Sequence, residues 1–522
     1  MLRALREGSS LHVLVPVALA LACGALRVRS PELCLDDSYI HLAYARSLRL
    51  GEGLSYNPFD WETGATSPLW VVLLALWPGA LPDGVGVKLV GLVFHALATG
   101  VLACLTLEML QASLTAGPSA GANVRVSTSG ARVKAPLLAA LAASSFAVDP
   151  LALQAATSGM EVSLATALAL GLALLLARAR YGAAALLAAL ASWTRPELAV
   201  FATAASVGVA LVRRSRAALL TLLAAACASA ATALYCQAVS GHPLPNTYYV
   251  KGRPFALEQL AYLAGEVLPA QPYVLSGVGA VLCLYGLWRA GRVHGVLAAL
   301  LGAAGLCLLA TASTRVQYPG VQFAQSRYFA PLLWLLPLAA AAGAAELRRV
   351  PAGLGLGLPL ALALVLGVRG AEQQRAQEQG VTRLHVEPAR FVSALDDVRV
   401  LGVEGAGALR YFTPRQLRVV DVVGLNDRAL AHVRGKPGAR ICQLLRAGIT
   451  HFAYPEPWSE FLGKGFELEP LARFTQRAYA QTQPALDWTV IVARVRRVQP
   501  EQAQACGQAP GLVQARLQQE SH

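Results

Sequence analysis

The sequence predicts an all-α polytopic membrane domain of about eleven transmembrane helices, at residues 1–369, followed by a small exported α/β domain at 370–522. Three observations carry this. The chain is 55% hydrophobic and only 14% charged, with a mean hydropathy of +0.49, a balance that belongs to integral membrane proteins and excludes a large soluble enzyme. Apolar runs rich in Ala, Leu and Gly alternate with short basic clusters, as expected of helices packed through small residues. Beyond residue 369 the chain becomes charged, with short apolar strands between ordinary turns. The net charge of +14 is scattered between the apolar spans, so the positive-inside rule accounts for it and no nucleic-acid partner is implied.

The apolar runs lie near 11–28, 85–110, 136–150, 160–177, 182–193, 198–212, 217–238, 271–288, 295–313, 328–346 and 351–369. Several fall short of the roughly 20 residues a membrane helix normally needs. With Arg3 and Arg6 in the cytoplasm, alternation puts on the same side Arg125, Arg132 and Lys134, then Arg178 and Arg180, Arg213, Arg214 and Arg216, Arg289 and Arg292, and Arg348 and Arg349. An odd number of spans then exports the C-terminal part. Residues 68–82, bounded by prolines, are too short to cross and are expected to lie in the outer interface, with Trp70 and Trp77 at headgroup level. The first run is expected to be an uncleaved anchor, although a signal ending at Cys23 is the alternative. Residues 111–134 read as a flexible inner loop.

This topology gathers the polar residues on the outer face. Asp36 and Asp37 follow directly on the first span in the outer loop of 30–84. Ionisable groups at that depth are costly to desolvate and are functional candidates; the bland alternative is a solvated acid that ends a helix. Further outer loops hold Asp149 to Glu161, Thr194 to Glu197, Ser240 to Gln271, and Thr314 to Arg327. Arg195, Lys251, Arg315 and Arg327 are therefore candidates for binding a phosphate by charge-assisted hydrogen bonds, or else for snorkelling to lipid headgroups. No cofactor is implied. A divalent metal beside the acid pair has no ligand cluster of defined spacing to hold it, and the histidines are dispersed.

The stretch Asp36-Asp37-Ser-Tyr-Ile, then Gly51-Glu-Gly-Leu-Ser-Tyr-Asn-Pro58, then Thr66-Ser-Pro-Leu-Trp70, resembles the N-terminal signature of GT-C glycosyltransferases. Among these it looks most like the subfamily that includes mycobacterial terminal arabinofuranosyltransferases. Similar motifs stand at Ser158-Gly-Met-Glu161, Thr194-Arg-Pro-Glu197, Leu244-Pro-Asn-Thr-Tyr-Tyr-Val-Lys251, Ser326-Arg-Tyr-Phe-Ala-Pro331, Gly405-Ala-Gly-Ala-Leu and Asp421-Val-Val-Gly-Leu-Asn-Asp427. Such relatives often carry an acid directly before the glycine of the first loop; here Thr63 precedes Gly64, and Glu62 stands one position earlier. The resemblance implies a polyprenyl-phosphate-linked sugar donor and a glycan, lipid or protein acceptor, on the outer face of a bacterial inner membrane. It implies Asp36 or Asp37 as general base, donor-phosphate binding at Arg195, Lys251 and Arg327, and substrate contacts at Arg46, Glu62, Thr66, Glu161, Glu197, Asn246 and Tyr248. Inversion at the anomeric carbon would follow from attack opposite the leaving phosphate. An O-antigen ligase-type enzyme, a lipid or polysaccharide transporter, and a non-catalytic assembly protein are the rival readings; a transporter would place its polar residues at midplane on broken helices.

In the exported part, 398–404, 417–423, 450–454 and 489–495 read as strands, with helices near 406–411 and 437–447. Gly402-Val-Glu-Gly405-Ala-Gly407 has the wrong spacing for a dinucleotide loop and reads as a tight strand-to-helix turn. Cys442 and Cys506, both exported, are placed to pair.

Overall fold

A computed structural model describes residues 11–79, 83–115, 128–252, 257–314, 326–346, 352–479 and 486–507. Each apolar run of the sequence falls on a helix. The principal ones are Leu11–Ala25, Asp83–Thr115, Thr128–Ala147, Val162–Ala177, Tyr181–Thr194, Leu198–Arg213, Leu219–Ser240, Val278–Val293, Gly295–Thr314, Leu335–Glu346 and Ala352–Val381. Among the described residues, four helices are long and apolar enough to cross a membrane alone, and a bent pair, Ala135–Ala147 with Pro150–Ala156, makes a fifth. The pair bends by 61° because Pro150 disfavours helix at the residue before it, and Asp149 caps the new helix by accepting from Ala152 N at 2.9 Å. The run 271–288 is interrupted in the same way: Pro272–Leu275 is a separate turn, and Gly277 at φ 66° lets the chain restart at Val278.

The segment 68–82, expected to lie in the outer interface, is helical only in part. Its helix is only Pro68–Ala75, and Trp70 is fully buried, its indole N–H donating to the Gly159 carbonyl at 3.1 Å and its ring edge-on to Phe94. The hydrophobic gain of burying a large ring with its one donor satisfied outweighs a place at the headgroups. Trp77 is half-buried, and 80–82 lie outside the described residues, as do Arg3, Arg6, Arg125, Arg315, Arg348, Arg349 and residues 116–127; the two ends of the expected 111–134 loop are instead helical, within Asp83–Thr115 and Thr128–Ala147.

Two small strands, β1 (Ser55–Asn57) and β2 (Asp60–Trp61), form a hairpin in the first loop. The C-terminal part is a five-stranded mixed sheet of β3 (Val400–Val403), β4 (Arg418–Asp421), β5 (His451–Pro455), β6 (Phe466–Tyr479) and β7 (Leu486–Val498), in spatial order β4-β3-β5-β7-β6. β3 pairs parallel to β4 and β5, while β7 runs antiparallel to both β5 and β6. The four expected strands and the helices Ala408–Tyr411 and Pro437–Ala447 are present. β6 is absent from the sequence reading because it is a half-exposed edge strand broken by Pro470, where the register shifts.

No linker separates the two parts: the helix Ala352–Val381 runs through position 370, makes a π-turn at Thr382–Val386 and continues as Glu387–Ser393. One hydrophobic cluster joins Tyr39, Tyr44 and Tyr56 of the first loop to Leu401, Ala406, Leu409 and Val419 of the sheet domain. Arg410, 1% exposed, donates to the carbonyls of Tyr56, Leu417 and Arg415, and the Tyr56 hydroxyl donates to the Ala406 carbonyl at 2.6 Å.

Cys442 and Cys506 form a disulfide, with Cα atoms 5.3 Å apart and a sequence separation of 64. Closing a loop of that size removes chain entropy worth about 4 kcal/mol from the unfolded state. Reduction, or Cys506→Ser, should therefore lower the unfolding midpoint of the sheet domain, and reductant should have no further effect on the variant; thermal unfolding followed by circular dichroism in both conditions checks this.

Candidate active site

The helix Asp36–Arg49 begins with two carboxylates in its first turn, where the helix dipole favours negative charge. Successive side chains on a helix point about 100° apart, and the two acids accordingly serve different partners. Asp36 turns to the sheet domain: its oxygens accept from the backbone N–H of Gly407 at 2.7 Å and Ala408 at 2.8 Å, capping the helix Ala408–Tyr411, with His385 Nδ1 3.8 Å away. Gly407 has to be glycine, since a Cβ there would sit 1.9 Å from the Asp36 carbonyl oxygen. The glycine-rich stretch after β3 is thus a docking turn.

Asp37 turns to a cavity of about 310 Å³. Its Oδ2 takes Arg327 Nη2 at 2.5 Å and Lys251 Nζ at 3.1 Å. Burial alone would push the Asp37 carboxyl up; the two cations overcome it and hold the group well below the usual carboxylate range. Arg195 forms a second knot on the cavity wall. It donates to Glu161 Oε1 at 3.1 Å and to Glu197 Oε1 through Nε at 2.8 Å and Nη2 at 2.5 Å. Burial would raise the Glu161 carboxyl, and His41 and Arg195 hold it down. His41 Nε2 lies 3.4 Å from Glu161 Oε2. Tyr328 joins the two knots, with the guanidinium carbons of Arg195 and Arg327 each 5.2 Å from its ring centroid.

Of the residues singled out in sequence, Asp37, Thr66, Glu161, Arg195, Glu197, Tyr248, Lys251 and Arg327 line this one cavity. Asp36, Arg46, Glu62 and Asn246 do not. Arg46 donates to the carbonyls of Tyr411 and Arg410 and lies over the Tyr411 ring, so it joins the first helix to the sheet domain. Glu62 accepts from Asn246 Nδ2 at 2.9 Å and faces Arg428 Nε at 3.3 Å, and the Asn246 N–H donates to Thr63 Oγ1 at 3.0 Å. That group braces the back of the cavity. The Glu62 carboxyl is pushed up to about 7 by burial, against the pull of Arg428 and Asn246. Two cavity residues escaped the sequence reading, His41 and Tyr328. His41 stands four residues after Asp37, on the same helix face, and Tyr328 directly follows Arg327, so helical spacing and adjacency were the available signals. Among the described residues no group of three His, Cys, Asp or Glu side chains is arranged to hold a metal.

A family profile described as a domain of unknown function, DUF8728, matches residues 371–497. No curated protein matches the chain by sequence. By structure, the chain is similar to the crystal structure of ArnT from Cupriavidus metallidurans bound to undecaprenyl phosphate, with a TM-score of 0.56 at 12% identity, over 92% of this chain and 98% of that one. The apo form of the same protein gives 0.51 at 13% identity, over 92% and 97%. The Archaeoglobus fulgidus oligosaccharyltransferase tethered to an acceptor peptide overlaps at 0.45 and 11% identity, over 94% and 76%, and the fold assignment does not rest on it. The chain shares its overall fold with ArnT. The likeness spans the membrane helices and the sheet domain together, and it does not reach the arabinofuranosyltransferase-like subfamily.

Replacing Asp36 with Ala removes two caps worth about 1 kcal/mol. It should speed limited proteolysis of the sheet domain near residue 407, whereas Asp37→Asn should leave the cleavage pattern at wild type. A second expectation concerns pH. A carboxyl raised from 4.5 to about 7 in the fold binds its proton more tightly than in the unfolded chain, so its contribution to stability is present at low pH and lost as pH rises through that window. The unfolding midpoint of wild type should fall relative to Glu62→Gln between pH 4.5 and 7; parallel curves would remove Glu62 as the cause.

Proposed function

We propose that this chain is an integral membrane glycosyltransferase that moves a sugar from a polyprenyl-phosphate donor to an envelope glycan, lipid or protein acceptor, on the outer face of the inner membrane. The observation that carries the reading is the Asp37 carboxylate held between Lys251 and Arg327 on the wall of a cavity, on a fold shared with a protein crystallised with undecaprenyl phosphate. Eleven spans, with a cytoplasmic N-terminus, would export the sheet domain, and the disulfide between Cys442 and Cys506 suits an oxidising compartment.

The chemistry follows from the pairing. A sugar on a lipid monophosphate already has a good leaving group, so the protein has to take a proton from the acceptor hydroxyl and stabilise the departing phosphate. While both cations face Asp37, its carboxylate is a weak base. A donor phosphate entering the cavity competes for Lys251 and Arg327, which frees Asp37 and raises its basicity when donor is present. Arg327 then presents a planar fork to two phosphate oxygens and Lys251 a point charge, in a site where exclusion of water strengthens both. Arg195, already held by Glu161 and Glu197, orients Tyr328 and the adjoining wall. Attack from the face opposite the phosphate inverts the anomeric carbon without a covalent enzyme intermediate. Asp36 has no part in proton transfer on this reading, because its carboxylate is committed to the sheet domain. A transporter is disfavoured because the charged groups cluster at the helix ends around one cavity.

The test is turnover by purified protein with a polyprenyl-phosphate sugar donor. Asp37→Asn should cut turnover by about 100-fold or more, the scale of a lost general base. Arg327→Lys should weaken donor binding and turnover together, and Arg213→Lys, far from the cavity, should change neither. Wild-type turnover in Asp37→Asn would refute the assignment.

A further inference from the structure

Lys251 is the last residue of a six-residue helix, Asn246–Lys251, too short to hold its own position. Its neighbours in space come from the sheet domain. His432, at the end of the short helix Arg428–Ala431, stacks on His242 with ring centroids 3.7 Å apart and meets the Tyr249 ring at 4.4 Å. His242 and Tyr249 are themselves 5.5 Å apart, so three rings from two segments close on one another. Arg434, two residues on, donates to the Val250 carbonyl. The far end of the same helix is fixed through Asn246 to Glu62.

We infer that His432 is a positioning residue: by clamping Tyr249 and His242 it seats Lys251 against Asp37, so that the sheet domain completes the cavity, and protonation of His432 opens the seat. The inference rests on the proposed role of Lys251 at the donor phosphate. The groups facing His432 are His242 and Tyr249 across the interface; the cations around it are engaged elsewhere, Arg428 with Asp60 and Glu62, Arg434 with the Val250 carbonyl and Lys251 with Asp37. The nearby carboxylate on that segment, Asp427, is occupied with the N–H groups of Ala429 and Leu430. A proton on His432 therefore puts a cation 3.7 Å from the His242 ring and beside the Tyr249 ring, with no carboxylate in the clamp to balance it. Burial and His242 both hold the His432 ring below the ordinary imidazole range. The closed clamp thus binds protons less tightly than the open one, and acid favours opening as pH falls below the ordinary value of 6.5.

The experiment compares wild type, His432→Phe, which keeps a ring without a titrating nitrogen, and His432→Ala, which loses the ring. Two quantities are read on the full-length protein at about pH 7.5 and 5.5: amide hydrogen exchange of residues 244–251, corrected for its intrinsic pH dependence, and affinity for undecaprenyl phosphate. In wild type, acidification should raise exchange of this segment about tenfold and weaken lipid binding. His432→Phe should show neither change, and His432→Ala should exchange fast at both pH values. An acid response in His432→Phe equal to that of wild type, or protected exchange in His432→Ala at pH 7.5, overturns the inference. The exchange arm needs neither lipid nor turnover. A wild type that never binds undecaprenyl phosphate would therefore count against the proposed function, while exchange alone still decides whether His432 seats the helix.

Discussion

The ion pair of Asp37 with Lys251 and Arg327 is the constraint on which the other features of the site depend. Its members come from the helix after the first apolar run, a short helix 214 residues later and a loop 290 residues later. Burying a lone carboxylate is costly unless it is paired, so the fold has to bring the cations to it. The sheet domain helps to hold one of them, through the rings around Tyr249 and the Arg434 contact at Val250. The Tyr328 ring links the Asp37 knot to that of Arg195, Glu161 and Glu197. Cations already engaged by carboxylates let the empty cavity exist without unpaired buried charge, which would otherwise destabilise it by several kcal/mol.

Charge balance of this kind also gives the site a logic of exchange. A preformed hole lined by free cations would bind any small anion. A hole whose cations hold a carboxylate admits an anion only if it offers them more than Asp37 does, and a phosphate with two oxygens for a guanidinium fork can do so. On the proposed function, the carboxylate displaced in the exchange is the group that would take the acceptor's proton.

Much of this was legible in the sequence, and the failures have identifiable causes. Apolar length and basic loops give the helices because bilayer physics acts on local composition. The motifs around Glu161, Arg195, Lys251 and Arg327 mark cavity residues because polar groups between apolar runs have few places to go. What local sequence does not contain is the partner. Asp36 and Asp37 are chemically identical neighbours, and their division of labour comes from the N–H groups of Gly407 and Ala408 far along the chain. Glu62, Arg46 and Asn246 lie among the same motifs yet face the sheet domain or the brace behind the cavity. Trp70 reads as an interfacial anchor by composition, and only the Gly159 carbonyl explains its burial. β6, with its charges and Pro470, is held by eleven register pairs to β7 rather than by its own pattern.

The proposed role of the Asp37 pair depends on where the lipid phosphate sits. The most direct measurement is a structure of the full chain, by electron cryomicroscopy in lipid nanodiscs, with undecaprenyl phosphate bound. Phosphate density is expected within hydrogen-bond reach of Arg327 and Lys251, with the Asp37 carboxylate displaced from at least one of them. A phosphate bound outside this cavity, with the Asp37 pair undisturbed, would contradict it.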